Sequence, residues 1–174
     1  MAFLLMLAAM PAKPIPSLFD AVVPAPFGAV GIRIVGDQLK ELVYLPSSYP
    51  LAEPTDALCR RVDEQLQAYF ADPGFRFDLP LAAAGTAFQQ RVWQTISAIP
   101  RGETLTYGEV AKHLRSAPRA VGQACGANWF PMVIPCHRVL AAGGLGGFAN
   151  SDEADGFHLG VKRWLLAHEG VRGY

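Results

Sequence analysis

A change of hydrophobic rhythm near residue 80 constrains this chain more than any other feature. Before it, residues 27–35 and 39–45 are rich in Val, Ile, Leu and Tyr, and the Gly36-Asp37 pair between them signals a hairpin. Leu58, Val62, Leu66 and Tyr69/Phe70 then recur at helical spacing over about 55–70, until Asp72-Pro73-Gly74 stops the run. This predicts a small α/β unit. Residues 79–85, with Pro80 and three consecutive alanines, read as a linker. Beyond it the rhythm is helical. Thr86 and Gln89 form a T-x-x-Q capping box ahead of Phe88, Val92, Trp93 and Ile96, and Pro100-Arg101-Gly102 breaks that helix. A second helical pattern over 107–114 is followed by a polar turn, Arg115-Ser116-Ala117, and a further run over 118–128 with Pro118 at or near its first position. Helix, short turn, helix is the layout of a helix-turn-helix. The second of the pair is built on Ala120, Gly122, Ala124, Gly126 and Ala127, so its backbone can approach another surface closely. That surface is a duplex groove or a neighbouring helix.

At 174 residues the chain holds one good core or two small ones. With 51% hydrophobic and 17% charged residues and 14 prolines, it reads as a soluble globular protein, not a disordered segment or a coiled coil. No apolar run reaches the roughly 18 to 20 residues that span a bilayer, so no membrane role is expected. Residues 1–12 resemble a short signal core but lack a preceding Lys or Arg, and read as a frayed terminus or an early start. Three unevenly spaced cysteines, Cys59, Cys125 and Cys136, do not make a disulfide framework, which points to a reducing, cytoplasmic compartment. No Cys/His cluster precedes Cys59, so no metal is expected. Net charge is zero, but unevenly spread: six basic against nine acidic residues through Ala84, nine basic against six acidic from Gly85. A modest positive patch of this kind suits weak, salt-sensitive phosphate contact, and equally a surface kept soluble.

The chemistry concentrates in Met132-Val133-Ile134-Pro135-Cys136-His137-Arg138-Val139-Leu140. An apolar, strand-like run delivers a rigid proline, then a nucleophile candidate, an imidazole and a guanidinium. A thiolate is the reactive form of cysteine, and histidine can supply the base that makes it near neutral pH. A Cys-His pair alone is weak, because neighbours on an extended chain point to opposite faces and free cysteine is commonly a core residue.

Pro135-Cys136-His137-Arg138-Val139, with Arg119-Ala120-Val121-Gly122 and Asn128 before it and Lys162-Arg163-Trp164-Leu165-Leu166-Ala167-His168-Glu169-Gly170 after it, resembles the O6-alkylguanine-DNA alkyltransferases. The likeness is strong over residues 85–170 and compatible before them. It implies an α+β chain: an RNase-H-like α/β domain over residues 1–84, then a mainly helical, winged-helix-like domain over 85–174 containing the helix-turn-helix. It further implies irreversible, single-turnover transfer of an alkyl group from guanine O6, less readily from thymine O4, in double-stranded DNA approached from the minor groove. Cys136 would be the acceptor. His137 would take its proton, in this family through a water, and Glu169 would hold the imidazolium. The activation logic of nucleophile triads agrees. Because sulfur ends as a thioether, no cofactor is needed and the protein, acting as a monomer without an obligate partner, is consumed.

A base stacked in a duplex cannot meet a protein sulfur, so it must be extruded. By the same resemblance Tyr107 would crowd the target phosphate and donate toward guanine N3, and Arg119 would fill the vacated stack. Asn128 would tie the recognition helix to the active-site segment, Pro131 would line the alkyl pocket, and the Val139 carbonyl would accept from the guanine amino group. Gln89 would contact the DNA backbone. Residues 149–158 depart from the family by length and by three carboxylates, Asp152, Glu153 and Asp155, and Phe148 stands where Tyr is frequent. Two rival readings are a nonenzymatic alkylated-DNA-binding protein, whose kind lacks the acceptor cysteine, and a thiol hydrolase, which would turn over. A helix-turn-helix regulator with a redox thiol is a third.

Overall fold

The computed structural model describes residues 18–174; the expectation for residues 1–12 lies outside them. Strands β1 (Ala21–Ala25), β2 (Gly28–Val35) and β3 (Gln38–Leu45) form an antiparallel meander. The β2–β3 hairpin falls where alternation predicts it, and Gly36 turns it at φ +57°, the left-handed region open to glycine. Sequence patterning gave no sign of β1, whose Pro24 reads as a breaker. As an edge strand, β1 tolerates a residue that cannot donate to a ladder. Helix α1 (Ala57–Ala71) starts at Asp56, whose carboxylate accepts from the Leu58 and Cys59 amides, and lays Cys59, Val62, Leu66 and Tyr69 against the sheet.

The stretch 79–85 is irregular, as its composition predicts, yet it is not free. Leu39 donates to Pro80 O at 2.7 Å and Ala82 donates to Leu39 O at 2.8 Å, so the segment runs beside β3. Helix α2 (Ala87–Ser97) carries the reciprocal Thr86/Gln89 cap. The two-residue strand β4 (Leu105–Thr106) leads directly into α3 (Tyr107–Leu114), which has a second capping box, Thr106/Glu109, that the sequence reading passed over. Arg115 closes α3 in the left-handed conformation, and α4 (Pro118–Gly126) begins with its proline at a position needing no amide. Strand β5 (Val139–Leu140) pairs in parallel with β4, and α5 (Phe157–His168) completes the chain.

Among the described residues the fold is thus a mixed α/β arrangement of small sheets and five α-helices. One continuous apolar cluster runs from Val30 and Ile32 in the sheet through Leu66 of α1 to Ile96, Val121, Val139 and Leu165 among the later helices. The two halves read from the sequence therefore share a core. Phe27, Phe70 and Trp164 meet edge to face across them. Among the described residues no helix is long and apolar enough to cross a membrane.

Candidate active site

Cys136 is not delivered by a strand, as its apolar approach suggested. Ile134 folds back to donate to Phe130 O at 2.8 Å, Met132 takes φ +71°, and Cys136–Arg138 form a single 3-10 turn. An apolar run without alternation fits a buried turn as well as a buried strand. Asn128, just beyond α4, braces this turn: its amide nitrogen donates to Ile134 O at 2.9 Å and lies 3.2 Å from Cys136 Sγ, while its oxygen accepts from the Phe130 amide.

Cys136 is 4% exposed but borders a cavity of about 270 Å³, together with Tyr44, Asn128, Pro131, Met132 and Phe148. A second thiol, Cys125 of α4, opens onto the same cavity. Contact with Cys125, then burial, pushes the Cys136 thiol well above the ordinary cysteine value; the Asn128 amide and the Lys162 ammonium pull against them. At rest, therefore, Cys136 is a neutral thiol.

The same turn places His137 in the core. Its Nε2 lies 3.0 Å from Glu169 Oε1, with the N–H off the line to the oxygen, and its Nδ1 finds no hydrogen-bond partner among the described residues. Glu169, one residue past α5, is gripped from several sides. Arg138 donates through Nε to Oε2 and through Nη2 to Oε1, both at 2.8 Å, and the Tyr69 hydroxyl donates to Oε1 at 2.9 Å. Burial would raise the Glu169 carboxyl, but the Arg138 fork and His137 overcome it and hold the group far below the usual carboxylate range. Burial lowers His137 despite Glu169, which favours a neutral imidazole beside the carboxylate.

Lys162 of α5 is fully buried, its ammonium donating to Val139 O and Leu145 O at 2.8 Å and to Gly147 O at 3.0 Å. It also lies over the Tyr107 and Phe148 rings. Desolvation brings it down to about 8, against the pull of the two thiols. The Val139 carbonyl thus already has one donor. Tyr107, at the start of α3, donates its hydroxyl to Gly147 O at 3.0 Å, and burial keeps that phenol protonated. Tyr107, Arg119, Gly122 and Asp152 border an open groove of about 690 Å³ that shares Cys125, Gly126 and Phe148 with the cavity beside Cys136. Arg119 is exposed there. Two of the small residues of α4 have internal neighbours: a Cβ at Gly126 would collide with Asn150, and one at Gly122 would touch Tyr107. Asn150 donates to Gly126 O at 2.9 Å, fastening the 149–158 stretch onto the end of α4. Gln89 lies far along the chain from this cavity and commits its amide oxygen to the α2 cap.

Sequence reading assigned no role to Tyr69, Arg138 or Lys162. Lys162 left a readable sign, a cation three residues after Leu159 and four before Leu166 on a buried helical face. Tyr69 left none, being 100 residues from its partner. Among the described residues no group of three or more His, Cys, Asp or Glu side chains could hold a metal ion.

Fold and site define a mixed α/β protein with a cavity-lining thiol, next in sequence to an imidazole held against a buried carboxylate. A family described as "6-O-methylguanine DNA methyltransferase, DNA binding domain" matches residues 87–171. The chain is 40% identical over 148 residues to the methylated-DNA–protein-cysteine methyltransferase of Methanosarcina mazei, spanning 79% of this chain and 89% of that one. It is 37% identical over 163 residues to the protein of the same name from Methanosarcina acetivorans, spanning 88% and 99%. Among solved structures, the Mycobacterium tuberculosis O6-methylguanine methyltransferase superimposes with a TM-score of 0.71 at 34% identity, covering 88% of this chain and 93% of that one. The structure of M. tuberculosis OGT in complex with DNA gives 0.71 at 36% identity, covering 86% and 91%. The chain belongs to the methylated-DNA–protein-cysteine methyltransferase family.

Proposed function

We propose that Cys136 is the acceptor through which this protein repairs DNA, taking the alkyl group from O6 of guanine in one irreversible transfer. The observation that carries this reading is a single turn that gives Cys136 to a cavity and His137 to an ionised Glu169. The neutral thiol loses its proton to neutral His137, and Glu169 balances the imidazolium that results. Sulfur attacks the alkyl carbon; the S–C bond forms as the C–O6 bond breaks, and the electron pair leaves on guanine. Tyr107, kept protonated by burial, donates toward guanine N3 as the base departs. The product is a thioether without a leaving group, so each molecule acts once and needs no cofactor.

Residues 1–84 we read as an RNase-H-like domain and residues 85–174 as the DNA-binding and acceptor domain, with α3 and α4 as its helix-turn-helix. Double-stranded DNA carrying alkylated guanine enters by the groove beside α4, from the minor-groove side. Arg119, exposed at the start of that helix, fills the space left by the flipped nucleotide. Asn128 braces the acceptor turn, Pro131 lines the alkyl pocket, the Val139 carbonyl takes the guanine amino group alongside Lys162, and Gln89 reaches a backbone phosphate with its free amide end. Free thiols and a nucleic-acid substrate suit the reducing cytoplasm.

Intact mass measurement after incubation with duplex containing O6-methylguanine tests this directly. One stoichiometric gain of roughly 14 Da, absent in Cys136→Ala, is expected from transfer to a single thiolate. Continued turnover, or an adduct that survives Cys136→Ala, would overturn it.

A further inference from the structure

The catalytic reading uses only residues from the later half of the chain, yet the cavity beside Cys136 is walled on one side by β3. The β3 residue that matters is Tyr44. Its side chain is more than nine-tenths buried, wedged between Phe27 at 5.4 Å and Phe148 at 5.6 Å between ring centroids. Its hydroxyl is sealed from solvent and finds no hydrogen-bond partner among the described residues. Tyr44 and Cys136 line the same cavity, so the hydroxyl is held on the wall that faces the acceptor sulfur's side of the core. A buried hydroxyl without a partner is a costly arrangement that native proteins keep for a reason.

Resting on Cys136 as acceptor, we propose that Tyr44 is a further residue of the transfer reaction: its hydroxyl, idle beside a neutral thiol, donates a hydrogen bond to the sulfur as it ionises. A neutral thiol is a weak acceptor and a thiolate a strong one, so the bond is gained only when the nucleophile forms. No proton is transferred; the thiol proton still leaves to His137. Asn128, already 3.2 Å from Sγ, is the first donor, and Tyr44 is the second. The arrangement gives the earlier half of the chain a direct part in the chemistry. It also explains why a tyrosine occupies a place where phenylalanine would satisfy the aromatic packing.

The test compares the wild type with Tyr44→Phe in alkylation by free O6-benzylguanine, a probe that needs no DNA, followed across pH. The titratable and charged groups around the sulfur and Tyr44 are unchanged in both proteins: His137 and Arg138 on the acceptor's own turn, Tyr69 of α1, Tyr107 of α3, Cys125 of α4, Lys162 of α5 and Glu169 beyond it. Loss of a hydrogen bond to a charged sulfur is expected to raise the apparent pKa of the acceptor by about one unit, slowing reaction about tenfold at neutral pH. The two rates converge in alkali, where both sulfurs are ionised. Placing 3-fluorotyrosine at position 44, a stronger donor of nearly the same shape, shifts the profile the other way and serves if Tyr44→Phe does not fold. Superimposed profiles, or a slowing by one constant factor at every pH, would overturn the role of Tyr44. Peptide mapping of the wild-type adduct reports separately on the acceptor: benzyl on a residue other than Cys136 sinks the acceptor assignment itself.

Discussion

The halves on either side of residue 85 differ in kind. The earlier one is net acidic and is built of a three-stranded meander and one helix; the later one is net basic and holds Cys136, His137, Glu169, Tyr107 and Arg119. The DNA-binding-domain family matches only residues 87–171. From that contrast the earlier half looks like a support. The geometry says otherwise, because Tyr69 of α1 donates a hydrogen bond to the buried Glu169 carboxylate and β3 lines the cavity beside Cys136. The proposed site residues lie in the later half, but the earlier half packs directly against them.

The largest test of that dependence removes the charge at the centre. Glu169→Gln leaves Arg138 without its carboxylate and is expected to cost about 3 kcal/mol of folding stability, the scale for breaking a buried ion pair. The effect carries a pH signature. Since the folded-state carboxyl is held below its ordinary value of 4.5, the stability it supplies is present above that pH and lost as pH falls toward the folded value. Denaturant melts of both proteins should therefore differ most near neutrality and converge in acid. A gap of equal size at pH 3 and pH 7 would mean that shape, not charge, holds the network.

The same link can be cut from the other side. Tyr69→Phe deletes one hydroxyl and keeps the ring packed on Phe70, Phe77 and His168. A hydrogen bond from a buried hydroxyl to a charged acceptor predicts a loss of about 2 kcal/mol. If stability is unchanged, the earlier half does not hold Glu169, and the contrast returns to support against function.

Legibility in the sequence followed locality. The β2–β3 hairpin, α1 and the α3-turn-α4 pair are written in alternation, helical spacing and punctuation by Gly and Pro, and all emerge where those signals put them. Strand β1 was hidden because a short edge strand with a proline carries no alternation long enough to read. The approach to Cys136 was misread as a strand because a buried turn and a buried strand present the same apolar run. Cys136 and His137 stand out locally as a Cys-His pair after an apolar run, whereas Glu169 is named through resemblance alone. The contacts that join the halves, Tyr69 to Glu169 and Tyr44 to the acceptor cavity, have no local signature at all. They exist only once the sheet, α1 and the last helix share a core.

The finest division lies inside the later half, between making the bond and reaching the base. Arg119 is exposed on the groove beside Tyr107 and Gly122, whereas Cys136 is buried beside the adjoining cavity, which shares Cys125 and Gly126 with that groove. If Arg119 fills the stack left by an extruded nucleotide, Arg119→Ala slows repair of a methylated duplex but leaves reaction with the free alkylated base nearly unchanged. Losing that support is expected to cost on the order of tenfold in duplex rate, equivalent to about 1.4 kcal/mol of barrier. Parallel single-turnover measurements on the two substrates check it, and rising salt should depress only the duplex reaction, since only that one is helped by phosphate contact. Equal slowing on both substrates would place Arg119 in the acceptor's own environment and erase the separation of recognition from chemistry. Slowing confined to duplex would instead show that the exposed helix serves extrusion alone, while sulfur activation is set where the earlier half meets the later one.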